Sequence, residues 1–78
     1  MTEGTIGAIV GRNVRAMREA AGMPKQELAR RIGKSPPYIL MLEAGRMRNG
    51  GSLESAVALC RVFGCKLERL VRSTKGGA

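Results

Sequence analysis

Residues 22–46, GMPKQELARRIGKSPPYILMLEAGR, read as two short helices joined by a tight glycine turn. After Pro24, the run from Lys25 to Ile32 places Leu28, Ala29 and Ile32 on one face at helical spacing, and Gly33 stops it. A second helix is predicted over 36–44. Ser35 is its expected N-cap, Pro36 suits the first helical position, Ile39 and Leu42 supply the apolar stripe, and Gly45 ends it.

Upstream, Ile6, Val10, Val14, Met17 and Ala21 recur at helical spacing and predict a helix over 6–20. Gly7 and Gly11 weaken its first turns, so residues 1–5 are expected as a flexible arm. Downstream, the glycines of Arg46-Met-Arg-Asn-Gly-Gly51 mark a loop. Ser52 caps a helix over 53–63, with Glu54 near its positive end, and Gly64 breaks it. A short helix follows over 67–71, and 73–78 reads as a disordered tail. Residues 6–72 thus form one all-α domain of five helices, with Leu28, Ala29, Ile39, Leu42, Val62 and Leu70 as its expected shared core. Ala29 must be small there, because the two helices around the glycine turn cross closely.

A chain of 78 residues with one Tyr, one Phe and no Trp has an aliphatic core. At that size the core supplies only a few kcal/mol, so dimerisation or a partner would help to hold it. Fourteen Lys and Arg against six Glu give a formal charge of +8. Such an excess attracts polyanions, nucleic acid before a membrane surface, because the cations are scattered over several helices and loops rather than along one amphipathic helix. No apolar run is long enough to cross a bilayer, and the start MTEGTIGAIVG lacks the basic region of a signal peptide, so a cytoplasmic protein is expected.

The usual catalytic constellations are missing. There is no His, no Asp, no metal-spaced Cys cluster and no glycine-rich phosphate loop, so no enzyme, metal or cofactor is expected. Cys60 and Cys65 read as buried core thiols, with a redox switch or disulfide as the alternative.

In this order and spacing, Gly11-Arg-Asn-Val-Arg-Ala-Met-Arg18, the Leu28-Ala29 pair, Gly33, Ile39, the Glu43-x-Gly45 ending and Leu59-Cys-Arg-Val-Phe-Gly-Cys-Lys-Leu-Glu-Arg-Leu70 resemble the repressor/Cro-type (XRE-like) helix-turn-helix of phage repressors, restriction-modification controller proteins and small bacterial regulators. The resemblance covers roughly four-fifths of the chain. It implies a repressor-like bundle whose second and third helices form the motif. It also implies a homodimeric, sequence-specific transcription regulator, a repressor or autoregulator of a phage, plasmid or integrated element, bound to an inverted repeat in double-stranded DNA.

In such a motif the second helix enters the major groove while the first crosses the backbone. The groove candidates are Pro36, Pro37, Tyr38, Leu40 and Met41, with Ser35 at the helix start. The resemblance makes Lys25, beside Gln26, a phosphate or base contact, helped by backbone N–H groups at that helix start. Lys34, Arg46, Arg48 and Asn49 would hold flanking phosphates, the alternative for each cation being a solvated surface charge. Glu43 opposes the negative end of its helix dipole and needs a partner; the resemblance implies Arg18. The dimer interface is expected on the loop before helix 4 and on helices 4 and 5, through Leu53, Val57, Arg61, Leu67 and Val71.

One departure matters. The groove-facing positions lack the Gln, Asn and Arg side chains that read adenine and guanine. Three readings stay open: contact with thymine methyls through Pro37, Leu40 or Met41; reading by Tyr38, Lys25 and the Arg46–Arg48 loop together with DNA shape; or a protein partner, as in an antitoxin-like or anti-activator adaptor.

Overall fold

Thr5 opens the first helix: its hydroxyl accepts a hydrogen bond from the Ala8 N–H at 3.1 Å. The computed structural model describes residues 5–73, so residues 1–4 of the expected arm and 74–78 of the expected tail lie outside the described residues. Five helices follow in order, α1 (Ile6–Ala20), α2 (Lys25–Ile32), α3 (Pro36–Glu43), α4 (Leu53–Phe63) and α5 (Leu67–Val71), with a 3-10 turn at Arg48–Gly50. The boundaries agree with those read from the sequence except at the end of α3. There Ala44 is the cap, and the Arg46 N–H closes the turn on the Met41 carbonyl at 3.0 Å.

The turn between α2 and α3 depends on Gly33. Its φ of 73° lies in the left-handed region, where a side chain is costly, and this lets the Lys34 N–H return to the Ala29 carbonyl at 2.8 Å. Ser35 occupies the cap position of α3, but its hydroxyl makes no capping bond. The reason is local. Pro36 and Pro37 carry no N–H, and the Tyr38 N–H already donates to the Ser35 carbonyl at 3.0 Å, so the hydroxyl has no donor to accept from. Ser52 does cap α4, accepting from the Ser55 N–H at 3.1 Å.

The core consists of Val10 and Val14 from α1, Leu28, Ala29 and Ile32 from α2, Ile39 and Leu42 from α3, Leu59 from α4 and Leu70 from α5. Val62, expected among them, is half-buried at the flank. The inward stripe of α4 runs through Ser55 and Leu59, and Val62 lies about 60° around the helix from Leu59. Cys60 and Cys65 are free thiols, also half-buried rather than buried. Desolvation, and then the adjoining Cys65 thiol, push the Cys60 thiol up in pKa.

Gly7 and Gly11 do not mark a weak start. A Cβ on Gly7 would stand 2.6 Å from the Met47 carbonyl oxygen, and one on Gly11 would collide with the Leu42 and Glu43 carbonyls. Both glycines let α1 lie directly against the end of α3 and the following loop. Asn13 ties α1 to α5. It is buried, and its Nδ2 donates to the carbonyls of Leu70 and Arg72 at 2.8 Å each, with Arg69 at 3.3 Å. Three carbonyls facing one group fix the amide orientation, since only the NH2 end can donate. Its partners at the end of α5 would otherwise be orphaned helix-terminal acceptors.

Ala29 is 1% exposed between α2 and its neighbours. Ala29→Leu is expected to lower unfolding free energy by about 1–3 kcal/mol through overpacking, measured by urea denaturation. An unshifted midpoint would contradict this placement.

Candidate nucleic-acid interface

The orientation of α3 is set by what it buries. Ile39 and Leu42 are fully enclosed, which turns Pro36, Pro37, Leu40, Met41 and Ala44 outward, with Leu40 57% and Met41 44% exposed. The two polar side chains of the helix are committed elsewhere. The Tyr38 hydroxyl shares a 2.6 Å hydrogen bond with Ser55 Oγ, and its ring, half-buried against the core, lies 5.2 Å from Lys34 Nζ. Tyr38, expected at the base edges, therefore faces α4 through its hydroxyl.

Glu43 meets the partner that the resemblance implied. Arg18 Nε donates to Glu43 Oε2 at 2.6 Å and the Arg18 guanidinium also reaches Oε1 at 3.1 Å, while Nη1 donates to the Met23 carbonyl at 2.8 Å. The hydrogen bond to Glu43 raises the Arg18 pKa against the opposing effect of burial. This planar fork fixes the C-terminal end of α3 to α1 and to the segment entering α2.

Cations surround the outward face of α3. Arg15 on α1 and Lys25 at the start of α2 line a shallow depression with Leu40, Glu43 and Ala44. Lys34 precedes α3, and the exposed Arg46 and Arg48 follow it. The first-turn N–H groups of Lys25 and Gln26 have no acceptor within their own helix. Gln26 and Ser35 are exposed, as is Asn49, which takes a left-handed φ of 56° within the 3-10 turn.

The distribution of carboxylates sharpens this pattern. Glu19 pairs with Arg15 at 3.1 Å, Glu43 with Arg18, and Glu27 with Arg30 at 2.6 Å and Arg31 at 2.7 Å. The hydrogen bonds from Arg30 and Arg31 hold the Glu27 carboxyl below its usual pKa. Among the described residues, no carboxylate pairs with Lys25, Lys34, Arg46 or Arg48. These four cations around α3 keep their charge uncompensated, as do Arg61, Lys66, Arg69 and Arg72 on and beside α4 and α5.

Arg15 was missed by the sequence reading. Its signal was the three-residue step to Arg18, which puts both on one side of α1. The expected interface residues form a different cluster. Leu53 is 70% exposed, Val57, Arg61, Leu67 and Val71 are exposed too, and two shallow depressions meeting at Leu53 join the start of α5 to the outer side of α4.

These features, a capped five-helix bundle with a glycine turn between α2 and a solvent-facing α3, define a helix-turn-helix domain. The Helix-turn-helix family model matches residues 14–70, and the chain belongs to that family. No curated protein sequence matches it. Among solved structures, it is similar to a hypothetical transcription factor, NHTF, from Neisseria, with a TM-score of 0.83 and 23% identity over 96% of this chain and 84% of that one. It is also similar to the restriction-modification controller protein C.AhdI of Aeromonas hydrophila, with a TM-score of 0.73 and 24% identity over 81% of this chain and 92% of that one. The clp gene regulator ClgR of C. glutamicum has a TM-score of 0.76 and 28% identity, over 87% of this chain and 86% of that one. Among the described residues no helix is long and apolar enough to cross a membrane, and no group of three or more His, Cys or Glu could hold a metal ion.

Proposed function

We propose that this DNA-binding transcription regulator works in the cytoplasm as a non-enzymatic homodimer on an inverted repeat, repressing by occupying a promoter. The observation that carries the DNA reading is the ring of uncompensated cations around the outward face of α3. Lys25, Lys34, Arg46 and Arg48 hold phosphates with the N–H groups that open α2, and α3 lies between them at the base edges. Leu53, Val57, Leu67 and Val71 supply an apolar patch for a second copy. A stable dimer would bury at least ~1,000 Å² in total. Such a dimer carries two α3 helices to half-sites about 34 Å apart.

The apolar character of the α3 face favours a second reading, in which the same fold binds a protein partner. A salt titration separates the two. Binding to duplex DNA is expected to weaken linearly in log affinity against log salt, by about 0.9 for each phosphate neutralised, and Arg46→Ala should reduce the slope by about one while weakening all sequences alike. An interaction insensitive to salt would overturn the DNA reading.

A further inference from the structure

We propose that α3 reads thymine by its 5-methyl group, so that each half-site presents thymines to Pro37, Leu40 and Met41; the proposal rests on the reading of the chain as a DNA-binding regulator. The outward stripe Pro36, Pro37, Leu40, Met41 and Ala44 has no side-chain donor or acceptor. The two polar side chains of the helix are bonded to other elements, Tyr38 to Ser55 and Glu43 to Arg18. Pro36 and Pro37 also remove two backbone N–H groups at the helix start that could have donated to a base or phosphate. A helix surface of this kind makes no hydrogen bonds across the groove.

In the major groove each base pair presents hydrogen-bonding atoms, and the apolar feature is the thymine methyl. Leu40 and Met41 gain by covering a methyl, about the transfer free energy of one buried carbon. Both A·T and G·C pairs present two acceptors and a donor that these side chains cannot satisfy, so the discrimination rests on the methyl, which G·C lacks. Charge complementarity identifies DNA as the occupant of this apolar face: Lys25 stands beside Leu40 and Ala44, Lys34 lies at the start of the helix and Arg46 beyond its end, a spacing of positive charge around an apolar strip that suits phosphates around base edges.

The test uses the full chain and the tightest duplex recovered from a random duplex library. Each thymine is replaced singly by deoxyuridine, which removes the methyl and keeps every hydrogen-bonding atom, and affinity is measured by fluorescence anisotropy at fixed salt. Loss of a methyl is expected to weaken binding about four-fold at two or more positions in each half-site. The weakening should disappear in Leu40→Ala or Met41→Ala, exposed positions whose folding is checked by circular dichroism. Should those variants misfold, the uracil series on the unaltered protein decides alone. Equal affinity for thymine and uracil at every position, in a duplex still bound sequence-specifically, would overturn methyl reading while leaving the regulator reading intact. Failure to recover any duplex would remove both.

Discussion

Glu43→Ala is expected to destabilise the domain by about 3 kcal/mol, because it strips both carboxylate hydrogen bonds from the buried Arg18 guanidinium and leaves it the Met23 carbonyl and Glu19 at 3.9 Å. The side chains of Arg18 and Glu43 are 9% and 4% exposed, and two hydrogen bonds join them. Against a total stability of about 5–15 kcal/mol for a domain, such a loss can unfold a marginal protein at room temperature. Arg18→Met should be similarly damaging, since it strands the carboxylate. A double variant, Arg18→Met with Glu43→Leu, should recover much of the loss, because replacing both members of a buried pair by apolar groups of similar volume is often neutral. Urea denaturation of the three variants tests this coupling. A loss below about 1 kcal/mol for Glu43→Ala, the value of an exposed pair, would contradict the enclosed geometry.

The second large effect is a reversal of local propensity. In an isolated helix, Gly→Ala is stabilising by about 0.8–1.0 kcal/mol. In this protein Gly11→Ala is expected to destabilise by about 1–3 kcal/mol or more, since the added methyl meets the carbonyls of Leu42 and Glu43, backbone atoms at the end of α3 that cannot rotate away. The helix must then move outward, and the Arg18–Glu43 fork, which joins the same two elements, stretches with it. Thermal unfolding followed by circular dichroism distinguishes the cases: a lower midpoint for Gly11→Ala agrees with the close approach, and a higher one shows that α1 is free to shift.

Those two sites show what the residue pattern could and could not convey. The boundaries of α2 and α4 and the start of α3 were legible because they have strong local causes in Pro24, Gly33, Pro36, Ser52 and Gly64, and local causes act within a few residues. The Arg18–Glu43 pair was legible through the ordered resemblance, not through spacing. Gly7 and Gly11 were misread because propensity describes a helix alone, whereas these positions are decided by what lies against it. Asn13 gave no signal, as its acceptors are up to 59 residues away. Ser35 had the right residue type for a cap, but the two prolines after it removed the donors. Tyr38 was placed on the groove side by its position in the helix, while its hydroxyl bonds to Ser55, 17 residues on. The cations around α3 were all nameable from the sequence except Arg15. What residue spacing could not show is that Glu43 compensates Arg18 across 25 positions, while Lys25, Lys34, Arg46 and Arg48 have no carboxylate partner among the described residues.

The central claim, that the outward face of α3 and its surrounding cations present two half-site readers to duplex DNA, is tested most directly by selecting bound sequences from a library of random duplexes. The predicted result is enrichment of an inverted repeat whose half-sites are about one helical turn apart. Recovery of a pool indistinguishable from the starting library, at salt low enough for phosphate contacts to hold, would contradict it.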